Sequence, residues 1–292
     1  MLKGRQQGGL FLCLGRRLKV WQAIHVKIDY TKMHGAGNDF VVIDDRSKTF
    51  AVEDMEGIQA MCNREAGIGS DGLILLQPSV CAEFRMRFFN PDGAEVSMCG
   101  NGARCIARFA VDLGLVKNRF KIETAAGVLE AQLNRDQVCL QLGEWQEATL
   151  DICLIDEYQL DVIDTGVRHA VVWLQDMNDV MVINLDALGA LIRHHSFFSP
   201  EGTNVSVAAV DKQGGIHLRT YERGVEGETL ACGTGALAAA RLAVVRGVCS
   251  FPVEVRCRSG EKLKVDDAEG CMVLSGRAVK MEEGVWCGGD RV

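Results

Sequence analysis

Residues 97–111 read SMCGNGARCIARFAV and residues 230–244 read LACGTGALAAARLAV. Superposed, Cys99 falls on Cys232, Gly100 on Gly233, Gly102 on Gly235, Ala103 on Ala236 and Arg108 on Arg241. Each copy opens Cys-Gly-x-Gly and runs into an alanine-rich amphipathic stretch, the pattern of a helix that starts at a thiol. The surroundings repeat too. Gly35-Ala36-Gly37 precedes the apolar run from Phe40, as Asp164-Thr165-Gly166 precedes the run from His169. Asn90-Pro91-Asp92-Gly93 precedes the first copy, as Glu222-Arg223-Gly224 precedes the second. A chain duplicated in this way predicts two lobes of similar order, each contributing one thiol to a site between them.

The remaining signals fill in the lobes. Short apolar or alternating runs read as strands around residues 28–33, 40–43, 73–76, 84–89, 120–123, 128–133 and 138–142 in the first half. In the second half they fall near 169–172, 204–210, 217–221, 253–256, 262–265 and 272–274. Helices are predicted over 53–63, 101–113, 185–194 and 233–246. Short strands joined by tight turns favour antiparallel pairing. The fold class expected is therefore α/β of the α+β type. It has two pseudo-symmetric lobes, each a mostly antiparallel sheet with a central helix. The first lobe is placed at 27–142 plus 276–292 and the second at 143–275. Residues 1–26 carry Lys3, Arg5, Arg16, Arg17 and Lys19 with no acidic residue, and their apolar patch is too short for a signal peptide. They are read as a disordered extension.

Composition narrows the function classes. A formal charge of -7 argues against nucleic acid as the main partner. No apolar run is long enough to cross a bilayer, so no membrane partner is expected. The 12 cysteines include no Cys-x-x-Cys, which removes the main cue for zinc ribbons and redox centres. In a chain of 292 residues without a secretory signal they read as buried thiols in a reducing cytoplasm. No metal site is expected, since no histidine and carboxylate spacing suggests one.

The chemistry centres on Cys99 and Cys232. The first N–H groups of a helix lack internal partners, and the helix dipole places partial positive charge there. Both effects favour a thiolate, and the same groups can bind a carboxylate. Two facing copies would grip one carboxylate and set a thiol on each side of the adjacent carbon. A proton could then leave one face and return to the other. Either cysteine alone could equally be a structural residue; matched cysteines in both copies are not something packing asks for. Cys105, whose counterpart is Ala238, reads as core. His169 before an apolar run reads as a packed histidine, with a functional role raised by its glycine turn. Gly67-Ile68-Gly69-Ser70-Asp71-Gly72 fits a dinucleotide fingerprint but follows a helix and leads into a strand, the wrong context. It reads as a substrate-facing loop. A pyridoxal enzyme would need a Schiff-base lysine, and no lysine lies near the repeated motifs.

These segments resemble the diaminopimelate epimerase family. The resemblance runs from Met33-His34-Gly35-Ala36-Gly37-Asn38-Asp39-Phe40 through Gly67–Gly72, Phe89–Gly93, Met98–Arg104 and Tyr221–Gly224 to Glu228–Ala236. It implies cofactor-free epimerisation of LL-2,6-diaminopimelate to the meso form, an amino-acid substrate, and Cys99 and Cys232 as the acid/base thiols. It implies Gly100-Asn101 and Gly233-Thr234 as the carboxylate cradle. Asn38, Asn90, Asn204, Glu222 and Arg223 are implied as substrate contacts, and His169 as an assisting residue. A homodimer is kept open as its assembly. The chain departs from the family at Gly166-Val167-Arg168-His169, where Gly-Asn-Pro-His is usual. Gly72 replaces a glutamine found in some members, and one extra residue separates Glu222 from Cys232. The rival readings are another two-thiol racemase on the same fold, acting on proline, hydroxyproline or histidine, and a non-catalytic amino-acid-binding protein.

Overall fold

The computed structural model describes residues 27–155 and 158–288. The extension expected over residues 1–26 lies outside the described residues. The chain begins with a hairpin, Ile28–Gly35 (β1) and Asn38–Asp44 (β2). Its two-residue turn, Ala36 and Gly37, has φ of 56° and 99°. Positive φ at both positions matches the right-handed twist of the flanking strands.

The first lobe continues with Met55–Cys62 (α1), Leu73–Gln77 (β3), Phe84–Phe89 (β4), Glu95–Val96 (β5) and Gly100–Asp112 (α2). Arg119–Thr124 (β6), Gly127–Asn134 (β7) and Gln137–Glu144 (β8) complete it. The chain then passes to Thr149–Ile155 (β9), Tyr158–Asp164 (β10), Arg168–Trp173 (β11), Met177–Val182 (α3) and Leu185–Arg193 (α4). Asn204–Val210 (β12), Ile216–Glu222 (β13), Gly227–Thr229 (β14) and Gly233–Val245 (α5) follow. Val253–Arg256 (β15), Lys262–Ala268 (β16) and Cys271–Arg277 (β17) close the second lobe, and Val279–Trp286 (β18) returns to pair with β1.

Pairing repeats strand for strand. β1–β2 and β10–β11 are antiparallel, β2–β3 and β11–β12 parallel, β3–β4 and β12–β13 antiparallel, and β4–β6 and β13–β15 parallel. The registers also match. Val41 opposes Leu73 and Leu73 opposes Phe89; Ala170 opposes Val205 and Val205 opposes Tyr221. Carried one residue along, this equates Phe40 with His169, Gly72 with Asn204 and Asn90 with Glu222. The extra residue between Glu222 and Cys232 sits in the turn between β13 and β14, where Glu226 takes φ 56°. Beyond the turn both lobes resume step, with Glu95 and Glu228 each four residues before the cysteine.

The lobes meet along β8 and β17, which pair antiparallel. Leu140 opposes Leu274 there, and these two are themselves equivalent, since Leu140 opposes Ala131 on β7 as Leu274 opposes Val265 on β16. The pseudo-twofold axis therefore passes through the Leu140–Leu274 pair. The fold class expected from the sequence is met: two related, mostly antiparallel lobes with a central helix each.

Each central helix is buried by its own sheet. α2 places Ala103, Ile106, Ala107 and Ala110 in the first core, wholly shielded, with Phe40, Ile74, Met86 and Leu140. α5 buries Ala236, Leu237, Ala238, Ala239, Ala240 and Ala243 in the second. A helix apolar on all sides must be covered on all sides, and alanine lets the surrounding strands come close. Ala36 of the first hairpin also joins the second core, so its turn reaches across to the other lobe. α1 lies over the outer face of the first sheet, and α3 and α4 over that of the second.

Candidate active site

Cys99 and Cys232 are the N-cap residues of α2 and α5, with extended backbones at φ -139° and -114°. Each sulfur accepts from the third N–H of its helix: Gly102 N–H donates to Cys99 Sγ at 3.5 Å, and Gly235 N–H to Cys232 Sγ at 3.4 Å. A thiol thus takes the place that a serine or aspartate oxygen fills at ordinary helix starts. The preceding N–H groups, on Gly100 and Asn101 and on Gly233 and Thr234, have no intrahelical acceptor.

The two helix starts converge on the pseudo-twofold axis. A Cβ built on Gly100 would lie 3.9 Å from Leu274 Cδ2, and one on Gly233 would lie 3.0 Å from the same atom. Asn101 Nδ2 donates across the lobes to the carbonyl of Ala231, the residue before Cys232, at 3.2 Å. The Glu222 carboxyl, at the end of β13, hydrogen-bonds the Cys232 thiol and acts electrostatically on Cys99 as well. Thr229 Oγ1 donates to Glu222 Oε1. Cys99 is half-buried and Cys232 buried.

Burial decides the resting state of these thiols. The helix-start N–H groups do pull both pKa values down, as expected. Desolvation is larger, however, and pushes Cys99 up and Cys232 well above the ordinary thiol value, with the Glu222 charge adding to both. The expectation of thiolates favoured by helix ends is corrected: removing a thiolate from water costs more than the helix termini return. Burial likewise raises Glu222 above the usual carboxylate range.

His169 is fully buried on β11. Its Nε2 lies 2.9 Å from Thr234 Oγ1 and 3.3 Å from Asn204 Nδ2. Asn204 Oδ1 accepts from Arg223 N–H at 2.8 Å, which turns the amide nitrogen toward the ring. Nε2 is therefore an acceptor and the proton sits on Nδ1. Burial, with Arg223 nearby, pushes the ring down to about 3, so it is neutral. Thr234 Oγ1 is also 3.4 Å from Cys232 Sγ, linking the thiol to the imidazole.

Among the sequence-predicted residues, Asn38, Gly100 and Asn101 gather around Cys99, and Gly233, Thr234, His169, Asn204, Glu222 and Arg223 around Cys232. Asn38 is held at both ends of its amide: Oδ1 accepts from Asn101 Nδ2 at 2.6 Å, and Nδ2 donates to Asp71 Oδ2 at 3.1 Å. Asn90 stands apart from this hydrogen-bonded set. Its backbone N–H donates to the Ala94 carbonyl and its carbonyl accepts from Gly93 N–H in the turn after β4. Its place is nonetheless the register mate of Glu222.

Sequence reasoning passed over Asp71, Thr229 and Arg104. Asp71 was legible as part of the Gly67–Gly72 loop, whose role here is to hold Asn38. Gly72 is glycine because Phe88 fills its space: an added Cβ would lie 2.5 Å from the Phe88 ring. The turn at Gly166-Val167-Arg168 is fixed against the second cradle, since Thr165 Oγ1 donates to the Thr234 carbonyl at 3.2 Å.

Known proteins share much of this sequence and this fold. The family model described as diaminopimelate epimerase matches residues 30–146 and 162–281, one match per lobe. The chain is 42% identical to the diaminopimelate epimerase of Aquifex aeolicus, over 88% of this chain and 97% of that one. It is 37% identical to that of Archaeoglobus fulgidus, over 89% and 96%. Among solved structures, a phenazine biosynthesis protein of the PhzF family from Enterococcus faecalis superposes with a TM-score of 0.71 at 15% identity, covering 89% of this chain and 99% of that one. A hydroxyproline epimerase from Agrobacterium vitis superposes at 0.65 with 18% identity, covering 91% and 94%. At such identities the structures speak for the fold alone.

Proposed function

The chain belongs to the diaminopimelate epimerase family, and from that membership we propose that it converts LL-2,6-diaminopimelate to the meso isomer, with Cys99 and Cys232 as the two proton-transfer groups. It is an isomerase that acts on a small amino acid. The observation that carries the thiol assignment is that two cysteines, one per lobe, cap helices whose first residues, Gly100 and Gly233, both abut Leu274 on the pseudo-twofold axis.

One thiol enters as thiolate and removes the α-proton. The other gives its proton to the opposite face, and turnover exchanges their states. With one proton shared between two thiols on a single substrate carbon, they titrate as a coupled pair. An α-proton is very weakly acidic, so the developing negative charge needs fixed donors. The helix-start N–H groups of Gly100-Asn101 and Gly233-Thr234 supply them at the substrate carboxylate. We assign Asn38, Asn90, Asn204, Glu222 and Arg223 to substrate contacts and His169 to an assisting role. For His169 and Asn204 that role runs through Thr234 and the Arg223 backbone. The working lobes are put at 27–142 with 276–292 and at 143–275, supported by β18 pairing with β1. The assembly is proposed as a homodimer in the cytoplasm, which sedimentation and cell fractionation test. Among the described residues no helix is long and apolar enough to cross a membrane.

The test is exchange of the α-proton for solvent deuterium on a panel of amino acids under reducing conditions. Diaminopimelate should exchange and epimerise, while proline, hydroxyproline and histidine should not. Cys99→Ala and Cys232→Ala should each lower epimerisation about 10²–10⁴-fold, the usual worth of a positioned acid or base. Exchange at another amino acid but not at diaminopimelate would refute the substrate. Full activity in either variant would refute the thiols.

A further inference from the structure

Arg104 is the largest fully buried side chain among the described residues. It forms no ion pair with any carboxylate among them. Its Nη2 donates to Asn101 Oδ1 at 2.7 Å and its Nη1 to the Gly100 carbonyl at 3.4 Å, while Nε has no partner. A buried cation held by neutral acceptors and no ion pair is costly to take out of water. The seam strand makes room for it: a Cβ on Gly276 of β17 would lie 3.0 Å from Arg104 Nε.

The pseudo-twofold equivalent of Arg104 on α5 is Leu237, which is equally buried. Packing at this position therefore does not call for a cation. The reverse imbalance stands at the register mates Asn90 and Glu222, where the second lobe carries the charge. The Cys99 side thus holds a fixed positive group, and the Cys232 side a carboxylate hydrogen-bonded to the thiol. A pair of sites that duplication would leave equivalent is polarised along the line between them.

We propose that Arg104 is a positioning residue for proton transfer: its charge beneath the first helix start, opposed by Glu222, makes Cys99 the thiol that ionises first and leaves Cys232 protonated. This rests on the reading of the two cysteines as the acid/base pair. The groups facing Cys99 are Arg104 and Cys105 on its own helix and Glu222 on β13. Those facing Cys232 are Glu222 and Thr234. Arg104 itself faces Cys99, Cys105, Cys257 and Glu261. Burial pushes Cys105 and Cys257 up to about 12, so neither thiol offsets the guanidinium at working pH, and Glu261, which makes no ion pair with it, is the carboxylate that faces it. Arg104 also fixes the Asn101 amide, which leaves its Nδ2 to bridge Asn38 and the Ala231 carbonyl across the lobes.

The experiment compares Arg104→Met and Arg104→Lys with the unaltered enzyme in pH profiles of kcat/KM, which report the free enzyme. Without the charge, the first ionisation becomes harder. The acid limb of the Arg104→Met profile should then move up by about 1 pH unit or more, the scale set by a neighbouring charge. Arg104→Lys should restore most of that shift. A residue of merely structural worth would lower kcat without moving the limb, and that result overturns the proposal. A second measurement needs no variant. Iodoacetamide labelling of the unaltered enzyme across pH, mapped by peptide mass, should give Cys99 the lower midpoint. Coincident midpoints, or a lower one for Cys232, overturn the proposal even if Arg104→Met fails to fold. Neither result touches the acid/base reading, which stands or falls with the alanine variants of the cysteines.

Discussion

Glu222→Gln removes a carboxylate that faces both thiols and hydrogen-bonds one. Cys232 should then ionise more readily, and the basic limb of the kcat/KM profile should move to lower pH. Stopped assays from neutral to alkaline pH would detect this; an unmoved basic limb counts against the role of Glu222. His169 makes a separate prediction. Its folded value of about 3 lies below the ordinary 6.5, so between those values the unfolded chain binds more protons. Stability from this group is complete above 6.5 and is lost as pH falls toward 3. Urea titrations should show that slope, and His169→Gln should flatten it. Gly72 illustrates why one departure from the family pattern cannot be reversed alone. Gly72→Gln should destabilise the protein, because the Phe88 ring occupies the site of the new Cβ.

The helices that carry the site were legible because their signals are local. The predicted 101–113 and 233–246 correspond to α2 and α5 within a residue of each end. Cys-Gly-x-Gly followed by alanine needs no tertiary information to be read. β9, β10 and β18 escaped the sequence reading. β18 is mostly exposed and lacks clean alternation; its pairing with β1, from the far end of the chain, makes it a strand. α3 is short and was missed for the same want of a long periodic face. The packing of α5 yields a test at this scale. Ala239 is wholly buried between helix and sheet, so Ala239→Leu should cost about 1–3 kcal/mol by overpacking, measurable from the urea midpoint.

At the scale of the whole molecule, the seam between β8 and β17 joins two cores and aligns two helix starts. Leu274 belongs to both tasks, since it lies in the second core and under both Gly100 and Gly233. Leu274→Ala should cost about 2–5 kcal/mol, as other buried leucine truncations do. It should also lower kcat through loosened spacing of the thiols, with the pH limbs unmoved because no charge has changed. Thermal melts alongside the rate profiles would separate the two effects. A loss of stability with kcat intact would show that the seam supports folding without setting the site.

The sequence alone determined the duplication, the two central helices, the thiol at each helix start and the family. All of these reside in short segments with their own periodicity, or in order along the chain. Only the tertiary structure decided the charge state and the asymmetry. Whether a thiol at a helix start is ionised depends on how much water the folded lobes exclude, which the helix itself does not encode. That Arg104 is buried without an ion pair among the described residues, and that Glu222 bears on both thiols, follow from strands far apart in the chain meeting across the seam.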